Sequence, residues 1–140
     1  MEGDHSVMKT PFPMGLRLTF WLSVIGGLGF GLASIAVPDL VAKLSGLPGQ
    51  DLPVYQQTGG AILGFTVGSW LCLRSSKWEQ VRIPMTALLT FSAMSALGAF
   101  YYVVLKGVVT SALVTVLLYS ILLSVGLGYY LLKFRNTKEG

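Results

Sequence analysis

The side chains that could do chemistry are few and scattered. His5 is the only histidine and Cys72 the only cysteine, so one chain cannot assemble an internal disulfide, a zinc or iron–sulfur site, or axial haem ligation. No general base accompanies a serine, threonine or cysteine nucleophile, and neither a glycine-rich phosphate loop nor a paired-carboxylate site appears. The sequence therefore predicts a non-enzymatic chain with no catalytic residue, no metal and no cofactor.

What remains is the chemistry of close packing and neutral hydrogen bonding. Gly60, Gly64 and Gly68 recur at four-residue spacing, which lines them along one face of a helix and lets a second backbone approach closely. Ser23, Gly27 and Gly31 repeat that spacing in the first apolar run, and Ser120, Ser124 and Gly128 repeat it in the last. These three seams are expected either to pack within the chain or to bind a partner, and on the packing alternative a leucine at Gly64 disrupts assembly. Gln56 and Gln57 precede the glycine series. Each amide carries a donor and an acceptor, so the pair is a possible polar ligand site as well as a possible cap or headgroup contact.

The elements that must position these residues follow from where charge is missing. Charged residues make up 11% of the 140 residues, against 53% hydrophobic ones, and mean hydropathy is +0.67. Uncharged runs extend over 18–38, 52–73, 83–105 and 107–132. Each meets the roughly 20 apolar residues needed to cross a hydrocarbon core of about 30 Å as a helix. None shows the alternation of a β-barrel strand. The fold class expected is all-α: an integral membrane four-helix bundle, up-down-up-down, with helices near 15–37, 54–73, 77–105 and 108–132. A mobile tail (1–14) precedes this domain (15–133), and a basic tail (134–140) follows it.

Eight of the ten Lys and Arg residues fall at the N-terminus, in the 74–82 connection or at the C-terminus, leaving Lys43 and Lys106 for the opposite side. Positive residues are retained in the cytoplasm, so both termini are expected inside, in a bacterial-type inner membrane. Topology then accounts for the net charge of +4 without nucleic acid as a partner. A cleaved signal peptide is the competing account of the first run, whose apolar core is too long for an h-region and lacks a clean cleavage site.

Local signals refine this outline. Pro38 ends the first helix, and the segment 38–53 is expected to begin with a short interfacial helix capped by Asp39 and stopped by Gly46, a plain loop being the alternative. Ser76-Lys77-Trp78-Glu79 has the spacing of a capping box for the third helix. Gly107 is expected to close a tight turn between the last two helices. Polar residues at depth are uncharged, which argues against coupled transport by one chain, since proton relays and ion-coupled carriers place ionisable groups there despite a cost of roughly 2.5–3.5 kcal/mol. Most of the tyrosines and tryptophans fall where membrane interfaces are expected, Tyr55 among them, whereas Tyr119 is deep enough to need a hydrogen-bond partner.

Three features together resemble the small DoxX-like four-helix membrane proteins over about residues 15–132. They are an external amphipathic segment ending in Gly and Pro, a glycine-rich second helix entered through Tyr55-Gln56-Gln57-Thr58-Gly59-Gly60, and Trp78-Glu79-x-x-Arg82 opening the third. The resemblance implies a fold far more than an activity, and no family functional residue is carried over. Expected partners are membrane lipids and either another membrane protein or a second copy of the chain. The functions to be weighed are a non-catalytic accessory or scaffold subunit and a small oligomeric transporter or lipid-binding protein.

Overall fold

A computed structural model describes residues 12–46 and 52–135. The tail bearing His5 and Lys9, the 47–51 part of the external segment and most of the basic C-terminal tail lie outside the described residues. Among those described the chain is helical, with no strand.

Five α-helices follow one another: α1 (Met14–Ala36), α2 (Pro38–Ser45), α3 (Leu52–Arg74), α4 (Trp78–Phe100), continued by a π-helical turn (Tyr101–Leu105), and α5 (Ser111–Arg135). Three of the helical segments, Met14–Ala36, Trp78–Leu105 and Ser111–Phe134, are long and apolar enough to cross a membrane. That supports an integral membrane location. α3 is not among them, although it has the same 23 residues as α1, because Gln56, Gln57 and its glycines dilute its apolar content.

The external segment does form a helix, but with different punctuation. Val37 is the N-cap, Pro38 occupies the first turn and Asp39 lies inside that turn without capping it. Proline suits this position because the amide it lacks would have no intrahelical partner. Asp39 at the start and Lys43 in the last turn complement the helix dipole, and Gly46 closes the helix in the left-handed region with φ of 63°.

The capping box at Ser76 does not form. Lys77, in extended conformation, is the N-cap of α4 and makes no side-chain cap. Starting the helix at Trp78 moves Ser76 one residue too far out for its hydroxyl to serve.

The turn between the last two long helices is wider than its charge pattern suggests. Lys106 N–H donates to the Tyr101 carbonyl at 3.1 Å and Val108 N–H to that of Tyr102 at 3.0 Å, after which Gly107 turns the chain with φ of 68°. Thr110 then starts α5: its Oγ1 accepts from Leu113 N–H at 3.2 Å and donates to the Ser45 carbonyl at 3.2 Å. One hydroxyl thus caps α5 and ties it to α2.

Packing runs α1 against α3, α3 against α4, α4 against α5, and α5 back against α1, with α2 touching α1, α3 and α5. Leu16 and Phe20 from the start of α1 meet Cys72 from the end of α3, Val81, Met85 and Leu88 from the start of α4, and Leu127 from the end of α5. Long helices in contact therefore run in opposite directions. Cys72 is a packing residue in this core, where it is almost fully buried.

Candidate helix-packing and interface faces

The α1–α3 contact is built from small residues in register. Ser23 Oγ lies 2.9 Å from Ser69 Oγ in a buried hydrogen bond, Thr66 faces Gly27, and Gly31 faces Gly59. Without a methyl at these glycines the two backbones come close enough for van der Waals contact. A Cβ placed on Gly59 would lie 2.8 Å from the Gly31 carbonyl oxygen and 2.9 Å from Ser34 Cβ; one placed on Gly31 would lie 2.9 Å from Leu63 Cδ2. On α1, the expected seam of Ser23, Gly27 and Gly31 is buried against α3.

On α3 the expected internal seam is corrected. The packed positions are Tyr55, Gly59, Thr66, Ser69 and Cys72, whereas Gly60 and Gly64 face outward with nothing within 4 Å of an added Cβ, and Gly68 meets only Pro84 Cβ at 4.0 Å. Adjacent residues of a helix point about 100° apart, so Gly59 faces α1 and Gly60 does not. The expected disruption by leucine at Gly64 does not apply within this chain. Tyr55 is buried. Its hydroxyl and that of Ser34 have no hydrogen-bond partner among the described residues.

The α5 series divides. Ser124 Oγ pairs with Ser92 Oγ of α4 at 2.9 Å and Ser120 is buried, but Gly128 has nothing within 4 Å of an added Cβ. The α1–α5 contact uses Gly26 instead. Tyr119 hydroxyl donates to the Leu22 carbonyl at 3.0 Å, passing through the space a side chain on Gly26 would fill. The deep tyrosine has the partner its position demands.

Hydroxyls elsewhere in the helices close on their own backbones. Thr58, Thr66 and Ser69 of α3 donate to the Val54, Ile62 and Phe65 carbonyls at 2.8, 2.8 and 3.0 Å. A polar residue so satisfied loses most of its penalty in hydrocarbon. Gln56 and Gln57 are both exposed, and as neighbours on one helix they diverge rather than converge. Among the described residues no three His, Cys, Asp or Glu side chains are grouped so as to hold a metal.

No protein-family model, curated protein or solved structure matches the chain.

The interhelical hydroxyl bonds are expected to contribute little individually. Tyr119→Phe should lower stability in detergent by about 0.6 kcal/mol, the average for such bonds between membrane helices. Gly26→Ala should cost more than Tyr119→Phe, because its methyl meets the tyrosine ring and displaces it from the Leu22 carbonyl. Thermal denaturation of the two variants beside the parent chain checks both the size and the order.

Proposed function

We propose that this chain is a non-catalytic multi-pass membrane protein that crosses the bilayer four times as an up-down-up-down bundle and acts as an accessory or scaffold subunit. The observation that carries the four crossings is the partnership of α3 with α1. α1 is long and apolar enough to span, and α3 lies antiparallel to it from Ser69 beside Ser23 to Gly59 beside Ser34. A helix in contact with a spanning helix over that length lies at the same depth. Its 23 residues reach about 35 Å, enough for the hydrocarbon core; the glutamines that lower its hydropathy lie in its first turns, and the hydroxyls of Thr58, Thr66 and Ser69 are bonded to its own carbonyls.

Four crossings put both termini on one side, with the arginine- and lysine-bearing 74–82 connection. By the positive-inside rule that side is the cytoplasm.

The subunit function rests on the face of α3 that the bundle leaves open. Gly60 and Gly64 make a smooth strip on its outside, with Gly68 at its edge beside Pro84, suited to a partner helix that packs by shape. The partner is another membrane protein or a second copy of this chain. An oligomeric carrier gated by Gln56 and Gln57 is not favoured, because the two amides diverge.

Crosslinking in native membranes, with mass identification of the products, tests the subunit function. A stoichiometric membrane partner or a discrete homo-oligomer crosslinked through α3 is expected. A chain that remains monomeric and without a stoichiometric partner would rule it out.

A further inference from the structure

The end of the α1–α3 pair nearest the core cluster carries an aromatic and cationic arrangement that the packing does not require. Trp21 of α1 and Trp70 of α3 meet edge to face, with ring centroids 5.8 Å apart and planes at 83°. Both remain substantially exposed, at 42% and 40%. The Arg74 guanidinium lies 5.3 Å from the Trp70 ring centroid, one helical turn beyond it. On α1, Arg17 stands one turn before Trp21, so it shares that tryptophan's face. Because the helices are antiparallel, both arginines fall at the same end of the tryptophan pair, and both are exposed.

The other cation–π pairs differ in kind. Lys106 with Tyr101, 5.6 Å from the ring, and Lys133 with Tyr129, 5.7 Å, each sit within one stretch of chain and offer a single ammonium. Among the described residues, the α1–α3 pair brings two indoles from two helices into contact and places an arginine one turn from each, at the same end.

We infer that Arg17, Arg74, Trp21 and Trp70 form a binding site for one anionic phospholipid, its phosphate between the arginines and its glycerol and upper acyl carbons against the indoles. This rests on the membrane location proposed above. Guanidinium groups match phosphate oxygens bidentately, which a lysine ammonium cannot do. The ring beneath Arg74 holds it in place before the lipid arrives, so less freedom is lost on binding. Indoles belong at the depth of the glycerol backbone. Charge complementarity selects the occupant: a phosphatidylglycerol headgroup is anionic, whereas phosphatidylcholine offsets its phosphate with its own cation.

Native mass spectrometry of the full chain in detergent, titrated with each of these two lipids, tests the site. One phosphatidylglycerol should be retained at least fivefold more than phosphatidylcholine. Arg17→Gln with Arg74→Gln should remove that preference, while Lys77→Gln with Arg82→Gln, which deletes as much charge at the same end, should keep it. Equal loss in both double variants would reduce the effect to diffuse charge and overturn the site, as would retention in the first. If Arg17→Gln with Arg74→Gln fails to fold, Arg17→Lys with Arg74→Lys should still bind at least twofold less than the parent, and undiminished binding would overturn the site. A chain that is monodisperse without detergent would instead defeat the membrane location itself.

Discussion

Leucine at Gly59 is expected to leave little folded chain. Its Cβ would stand 2.8 Å from a backbone oxygen of α1 and 2.9 Å from Ser34 Cβ and Ile35 Cγ1, so the clash cannot be relieved by turning a flexible side chain. The helices must separate, and with them go the Ser23–Ser69 bond and the contacts of Gly31. Overpacking a tight contact typically costs 1–3 kcal/mol, and here a whole isobutyl group meets backbone. We expect a loss of about 3 kcal/mol or more, a large part of the stability of an ordinary domain. Alanine at Gly59 should be milder and still destabilising. Alanine at Gly64 should be neutral or slightly stabilising, since nothing opposes the methyl and alanine is the better helix former by about 1 kcal/mol. Thermal melts in detergent should rank Gly64→Ala at or above the parent, then Gly59→Ala, then Gly59→Leu. A Gly64→Ala chain that melts with Gly59→Ala would show the inward face of α3 to be misassigned.

The converse experiment separates folding from association. Gly60→Leu combined with Gly64→Leu adds bulk to the open face of α3 and should leave the melting of the isolated chain within a few degrees of the parent. Its crosslinks to the partner in membranes should fall at least tenfold, because the partner helix can no longer reach the α3 backbone. Crosslinking at the parent level would mean that the strip is lipid-facing and that the partner, if there is one, docks elsewhere.

Much of the architecture was legible because its causes are local. Charge-free runs mark the long helices, and Gly46 and Gly107 end helical segments in the left-handed region, which favours glycine. On α1 the seam was legible too: Ser23, Gly27 and Gly31 are all buried, and the adjoining Gly26 serves a different neighbour, the Tyr119 of α5.

On α3 the signal was ambiguous for a physical reason. Gly59 and Gly60 adjoin, and strict four-residue spacing singles out Gly60, Gly64 and Gly68. The packed face instead advances by three and four residues through Tyr55, Gly59, Thr66 and Ser69, which keeps it aligned with a neighbouring helix where a strict step of four drifts away. Hydroxyls that bond their own helix count as small residues there, which a search for glycines overlooks. Thr110 was missed for a related reason. Its cap on Leu113 N–H is local, but its tie to the Ser45 carbonyl exists only in the fold that brings α2 to it. The Trp21–Trp70 contact was equally hidden, since it depends on the register of two helices.

Whether α3 crosses the bilayer decides the whole topology, and single-cysteine labelling measures it. In a Cys72→Ser background, Lys43→Cys, Ser76→Cys, Lys106→Cys and Lys133→Cys are each exposed to a membrane-impermeant maleimide on intact cells and again after permeabilisation. Four crossings predict that positions 43 and 106 label in intact cells and that positions 76 and 133 label only once the membrane is opened. If α3 does not cross, positions 43 and 76 label together from outside while 106 is protected, and that pattern would contradict the account.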